Sequence, residues 1–525
     1  MNNPARSGSN AAADHWPPQI KYIVGNEACE RFSFYGMIGI LTLYIKNQLA
    51  QGAAEATEIS HLFKFGVYFL PLLGAWISDR LLGRYRTILY ISFFYCAGHA
   101  LLALGDVFCK LPPLPDPMTD ALRADYAQAN AGMIRGRLWF LYGGLMLLAF
   151  GGGGIKPCVS AFMGDQFRAN QNHLLQKAYG LFYWSINFGS FFSFLIIPLV
   201  ARNYGYGWAF GIPGIFMGLA TLIFWLGRPH YVHVPPAGPS EENFWGLLVY
   251  ALRQGLPGAG FWDRCLGRFS TEAVEGAKAA SRVAWVFALI PFFWALWDQN
   301  STTWVIQGEK MVPYKFSPTV MKNGILGPIL SFIVGDTIGA EQMQSLNALV
   351  VMILVPLFTY LLFPLTETLG TRVTTLRRMA VGLFLTAFSF VLIAWLEQRL
   401  SAGEHLSILQ QSWAYVMLTA GEVLVSTTGL EFAFREAPAK MRSTLMSFWL
   451  LTTALGNLLV ASLIKFNVKG KTPQGIDVLY FSGQQQFFLF AGLLALVGVL
   501  FILVTLGYRY RDPSQEAGLR STTVH

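Results

Sequence analysis

Charge is scarce in this chain. Asp, Glu, Lys and Arg make up 13% of its 525 residues, against about 25% in an ordinary soluble domain. That is too little to coat a soluble surface. With 54% hydrophobic residues gathered in long runs, the chain belongs in a lipid bilayer. Paired cysteines are lacking too. Cys29, Cys96, Cys109, Cys158 and Cys265 are scattered, which argues against a disulfide framework or zinc site and leaves small buried thiols. There is no His-Glu-x-x-His, no Gly-x-Ser-x-Gly and no cluster of metal ligands. No enzyme activity and no cofactor are therefore expected. A channel would show a repeated pore motif, and an ATP-driven pump a nucleotide fold; neither is present. The first fifteen residues lack an apolar core before a cleavage site, so the first span is expected to start insertion itself.

What is present is a series of apolar runs. They predict twelve spans, at roughly 20–46, 60–82, 86–108, 137–163, 178–201, 206–227, 283–306, 342–365, 374–400, 408–434, 444–466 and 486–508, since about 20 apolar residues cross a bilayer as a helix. With the N-terminus inside, tails and inner loops hold 22 Lys and Arg and outer loops 13. The excess places both termini in the cytoplasm. It also explains the net charge of +9 without nucleic acid. The stretch 229–282 opens with Pro-rich 230–239, which stops a helix. It continues with Phe244–Leu252, apolar but too short to span, which suits an amphipathic helix lying at the interface. This linker divides the chain into six-span halves, 1–228 and 283–525. A faint repeat agrees: Asp79-Arg-Leu-Leu-Gly83-Arg-Tyr-Arg86 and Glu367-Thr-Leu-Gly370-Thr-Arg372 both follow a Pro-bearing span. Two related halves rocking about a midplane site is how many secondary transporters work.

Within the first span stand Glu27, Glu30 and Arg31. At i, i+3 and i+4 they share one helix face. Each charge at the bilayer centre costs roughly 2.5–3.5 kcal/mol, so that face looks into a polar cavity. Two acids beside a fixed cation suit the movement of protons, or else hold helices together. Lys156 lies in Gly151-Gly-Gly-Gly-Ile-Lys-Pro157. A phosphate loop is rejected because no Gly-Lys-Ser/Thr follows; in a membrane such glycines let helices approach closely. Asp298, in mid-span, is costly and therefore cavity-facing. His61, Lys64 and Asn187 are further polar residues inside spans, each a functional group or interhelical glue.

The stretch Glu27-Ala-Cys-Glu-Arg-Phe-Ser-Phe-Tyr-Gly36 resembles the first-helix motif of the proton-dependent oligopeptide transporters, members of the major facilitator superfamily. Gly153–Phe167, Phe182–Ser190, Phe293–Gln299, Gln344–Ala348 and Gly421–Glu431 are similar to further segments of that family. The resemblance implies an all-α integral membrane protein of the major facilitator fold. Its twelve helices would form two pseudo-symmetric six-helix bundles, and it would act as a monomer in the cell (inner) membrane. The implied activity is import of di- and tripeptides with protons by alternating access; the rival reading is another small anionic solute such as nitrate. Glu27, Glu30, Arg31, Lys156, Asp298 and His61 would then handle protons. Arg31, Tyr35, Tyr68, Lys156, Asn187, Trp294, Asn347, Glu422 and Trp449 would meet the peptide. Lys156 would pair with the first-helix acids and the peptide carboxylate, Glu422 with the amino terminus. The first acid-Leu-Gly-base loop resembles the superfamily's loop motif, whose implied role is to hold the halves together on the cytoplasmic side.

Two departures stand out. The family has Tyr where Phe34 stands, and Arg where Ile38 stands. In the family that arginine pairs with the seventh-helix acid to shut the outer gate. Lys64 lies fifteen residues before Asp79, about 22 Å toward the outside at 1.5 Å per residue. It is expected to take the missing cation's place beside Asp298.

Overall fold

The structure is a computed structural model that describes residues 15–508 apart from 113–119, 169–170, 237–241, 256, 259, 318–325, 370–373, 437–441, 472–476 and 482. Its first half runs α1 Ile20–Leu43, α2 Ala53–Leu82, α3 Arg84–Phe108, α4 Ala131–Gly164, α5 Asn172–Tyr204 and α6 Tyr206–Leu226. Next comes α7, in two pieces, Thr271–Phe287 and Ile290–Glu309, bent by 45°. The chain continues with α8 Glu341–Thr366, α9 Thr375–Ser401, α10 Ile408–Ala433, α11 Arg442–Asn467 and α12 Gln484–Leu506. Ten of these helices are long and apolar enough to cross a membrane, and the bent α7 makes an eleventh. The other is α1. Its 24 residues span roughly 36 Å, and it falls short in apolarity only because it carries Glu27, Glu30 and Arg31.

The predicted boundaries hold within three residues except at the starts of α2, α4, α5 and α7; α4 begins at Ala131 and α5 at Asn172, each six residues early. Helix α2 begins at Ala53, seven residues early. Helix α7 begins at Thr271, inside the predicted linker, where Glu272, Glu275, Lys278 and Arg282 hide a helix from a hydropathy reading. Ser270 starts it: its Oγ accepts from the amide of Ala273 at 3.3 Å, the satisfaction of an orphan N–H that defines an N-cap. The linker's own helix is Phe244–Gln254, capped by Asn243 Oδ1 accepting from Gly246 N at 2.8 Å. It buries Phe244, Leu247 and Ala251 and rests Phe244 edge-on against Phe448 of α11. Two small two-stranded antiparallel sheets, Tyr314–Lys315 with Thr337–Ile338 and Val468–Lys471 with Asp477–Leu479, lie in the connections between helices.

Each half has its own apolar core. One gathers residues between Ile20 and Tyr231, the other residues between Phe244 and Phe501. In the first, α3 packs on α4, and α1 on α5 and α6; in the second, α9 packs on α10 and α12. Across the halves, α2 meets α11 and α5 meets α8. The glycine run of α4 does what close packing needs. A Cβ on Gly151 would stand 2.6 Å from Tyr95 Cβ of α3, and one on Gly153 2.7 Å from Leu70 Cβ of α2. At Gly74 the approach is backbone to backbone, with a Cβ only 2.6 Å from Gly154 Cα. Gly83, at φ +74°, turns the chain sharply from α2 into α3, a conformation that costs a side chain but not glycine.

The loop repeat is half accounted for. Arg84 pairs with Asp165, joining the start of α3 to the end of α4 inside the first half rather than bridging the halves. Gly370 and Arg372 of the second copy lie outside the described residues.

Gly74→Ala pushes two backbones apart and is expected to cost about 1–3 kcal/mol, as overpacking does. Gly132→Ala, where a Cβ meets nothing within 4 Å, should be silent. Thermal unfolding of both variants in detergent separates them.

Candidate functional site

Helix geometry alone brings the α1 charges together. Arg31 Nε lies 2.8 Å from Glu27 Oε1 and 2.5 Å from Glu30 Oε2, and all three residues are buried. One guanidinium one turn from Glu27 and next to Glu30 thus serves both carboxylates. Lys156 enters the same region from α4 but does not join them. Its Nζ stands 4.2 Å from the ring centre of Phe34 and 4.1 Å from that of Tyr68. This corrects the expected pairing of Lys156 with the first-helix acids. Arg31 already occupies both, so the ammonium takes the negative faces of two rings instead, an attraction of about 2 kcal/mol or more when desolvated.

A second buried cluster joins the halves. Lys64 Nζ of α2 donates to Asp298 Oδ1 at 2.7 Å, to Ser301 Oγ at 2.6 Å and to the Asp298 carbonyl at 3.1 Å. The carboxylate's other oxygen accepts from Asn457 Nδ2 of α11 at 2.6 Å, and that amide nitrogen also donates to Thr453 O at 3.0 Å. Both amide hydrogens are then spent. The Asn457 oxygen must therefore accept from His61 Nδ1, 2.8 Å away, which leaves His61 Nε2 facing Thr302 Oγ1 at 3.1 Å. His61 reaches Asp298 only through Asn457. Around this cluster Thr42 Oγ1 of α1 donates to Ser301 O at 2.9 Å.

The links continue toward the end that carries the α1–α2 and α7–α8 loops. Lys46 pairs with Glu309, Arg202 donates to Gln342 Oε1 at 2.7 Å, and Gln344 Nε2 donates to Gly39 O at 3.1 Å. At the opposite end, among the described residues, the ion pairs Arg84–Asp165 and Arg378–Glu431 stay within one half.

Between the two clusters lies a cavity with about 840 Å³ of empty space, part of it open to solvent. Tyr35, Tyr68, Asn187, Asn347, Glu422, Lys64 and Asp298 line it, while Arg31 and Lys156, also expected to meet the peptide, do not. Glu422 Oε2 accepts from Asn347 Nδ2 at 2.7 Å, and the same nitrogen donates to Thr419 Oγ1 at 3.0 Å. Asn187 turns its nitrogen back to Tyr183 O at 3.0 Å. The two expected pocket tryptophans sit elsewhere. Trp294 and Trp449 pack edge-on against each other, ring centres 6.0 Å apart, both buried in the second core. Close packing of α7 on α11 at Gly456, where a Cβ would stand 2.8 Å from Trp294 Cβ, holds them there. Trp297, one turn on, lines the cavity instead.

Asn457, Ser301, Thr302 and Trp297 went unflagged in the sequence. A signal existed for the first three. Asn457 is a lone amide in an apolar span, like Asn187. Asp298-Gln-Asn-Ser-Thr-Thr303 is a polar run in mid-membrane, where α7 tightens into a 3₁₀ turn at Asp298–Ser301.

Asn457→Leu strands two buried groups, Asp298 Oδ2 and His61 Nδ1, at ~1–3 kcal/mol each. Asn187→Leu removes only a bond to its own helix and is expected to be far milder. Thermal unfolding in detergent, read for both variants, tests that ordering.

The comparisons with known proteins agree on one family. The family model described as POT family matches residues 85–478. Peptide transporter 3 of Caenorhabditis elegans is 34% identical over 401 residues, covering 74% of this chain and 51% of that protein. Solute carrier family 15 member 2 of Homo sapiens is 34% identical over 413 residues, covering 76% of this chain and 51% of its own length. The chain thus spans about half the length of these curated relatives. Among solved structures, an auto-inhibited POT family peptide transporter is 35% identical with a TM-score of 0.77, covering 95% of this chain and 98% of the other. The POT family transporter PepTSo is 34% identical with a TM-score of 0.79, covering 95% and 99%. On this evidence the chain belongs to the POT family and has its major facilitator fold.

Proposed function

We propose that this chain is a proton-coupled symporter that imports di- and tripeptides by alternating access. One observation carries the reading. A single cavity between the halves has a carboxylate, Glu422, on the second-half wall and the buried Glu27–Glu30–Arg31 cluster with Lys156 behind the first-half wall. A short peptide carries an ammonium at one end and a carboxylate at the other. Reading the ends by charge leaves the side chains to aromatic surfaces, here Tyr35, Tyr68 and Trp297. The relatives named above as peptide transporters support the substrate class; the nitrate alternative draws no support from them.

In this reading the two bundles, 1–228 and 283–525, rock as units joined by the linker. The chain acts as a monomer in the cell's inner membrane, with both termini cytoplasmic. The end sealed by Lys64–Asp298, Lys46–Glu309 and Arg202–Gln342 is then the outside, and the conformation is closed outward. Lys64 is the gate cation in place of the arginine missing at Ile38. A proton reaching Glu27 or Glu30 would free Arg31 from one partner, and a proton reaching Asp298 would free Lys64. His61 sits within one amide of that exchange. Removing one member of a buried pair costs ~3–5 kcal/mol, enough to shift a two-state equilibrium by two or more orders of magnitude.

Uptake of a labelled dipeptide into proteoliposomes tests this. The wild type should accumulate it only under an inward proton gradient. Glu30→Gln should keep exchange of labelled for unlabelled peptide and lose gradient-driven accumulation, and Lys156→Ala should lose both. Accumulation without a gradient would refute the coupling. At the gate, Lys64→Gln should lower accumulation at least ~10-fold, the scale of a broken buried pair, and Lys64→Arg should restore most of it. A Lys64→Gln variant with normal uptake and pH profile would remove Lys64 from the gate.

A further inference from the structure

Lys156 is close to the cavity and yet does not line it. The lining includes Phe34 and Tyr68, the two rings whose centres lie 4.2 and 4.1 Å from its Nζ. The cation that does line the cavity, Lys64, is committed to Asp298. Arg31 is committed to Glu27 and Glu30. In this conformation the cavity therefore presents carboxylates, Glu422 and Asp298, but no uncommitted cation.

We infer that Phe34 and Tyr68 form an aromatic sheath that holds Lys156 back until a ligand carboxylate draws it out, and that Phe34 thereby sets how strongly the site selects for a carboxylate. This rests on the peptide reading above. Phe34 is 2% exposed and wedged against Tyr35 at 5.4 Å and Phe63 at 6.5 Å between ring centres, so it cannot swing aside. The lysine can, because its ammonium rides on a flexible four-carbon stem. Arg31 also approaches the Phe34 ring, with Cζ 5.8 Å from its centre, so the ring stands between both cations of the first half. A carboxylate entering from the cavity offers Lys156 a charged partner in place of two π faces. A neutral amide offers no such exchange and leaves the lysine sheathed. What Phe34 offers the ammonium is its ring face, and that attraction opposes the ligand.

The test is binding and uptake of a dipeptide and of the same dipeptide with its carboxylate amidated. Phe34→Leu removes one face and frees Lys156. It should tighten the apparent KM for the free acid about tenfold, the ratio equivalent to one cation–π contact, and leave the amide unchanged. Phe34→Tyr keeps the face and should match the wild type in the acid-to-amide ratio, which also shows that the position tolerates change. A Phe34→Leu protein that is folded and transports but shifts acid and amide equally, or neither, overturns the sheath. Wild-type protein that binds neither compound would instead sink the peptide reading itself.

Discussion

A charge in the middle of a membrane protein must have a partner, and when partners are few each one is shared. That constraint organises this molecule. Glu27, Glu30, Arg31, Lys64 and Asp298 are buried and Lys156 is half-buried, and each has found a partner within the protein. Arg31 serves two acids. Asp298 takes a lysine on one oxygen and an amide on the other. Lys156, with no carboxylate left to it, lies against two rings. Even so, both Glu30 oxygens and Arg31 Nε lack a hydrogen bond of good geometry, and none of these arrangements would survive the arrival of a proton or a ligand's charge unaltered. In the proposed symporter, coupling follows from this scarcity: whatever changes one charge makes its partner look elsewhere, within the first half for Arg31 and across the halves for Lys64 and Asp298.

The fold supplies the geometry for this sharing. Close contact at Gly74, Gly151 and Gly153 brings α2, α3 and α4 together in the first half, which carries Lys64 and Lys156 on neighbouring helices. The tight turn at Asp298–Ser301 lies within the second piece of α7, where its acid faces inward. Cross-links through Lys64, Thr42 and Arg202 fasten one end of the cleft, while the pairs at the other end remain within their own halves.

Much of this was legible in the sequence because burial of charge is so costly that its exceptions are conspicuous. Asp298 could be picked out as cavity-facing from hydropathy alone; Glu27, Glu30 and Arg31 stood out the same way, but they are buried without lining the cavity. The Lys64–Asp298 pair was legible from an absence, the arginine missing at Ile38, together with one lysine at the right depth. What could not be read were the choices among available partners. Nothing in the spacing says that Arg31 takes both acids and so leaves Lys156 to Phe34 and Tyr68. Nor does it say that Trp297, rather than Trp294, faces the cavity, since this depends on how α7 rotates after its break. The start of α7 at Thr271 was hidden because an amphipathic extension reads as linker when only apolarity is counted.

The claim at the centre is that ligand charge and protons are exchanged through the same buried partners, and linkage makes such coupling reciprocal. The most direct measurement therefore runs the exchange backwards. Proteoliposomes with a pH-sensitive dye in the lumen and no imposed proton gradient are given a dipeptide outside. The account predicts that the lumen acidifies in fixed proportion to the dipeptide that enters. Dipeptide entry with no change in luminal pH would contradict it.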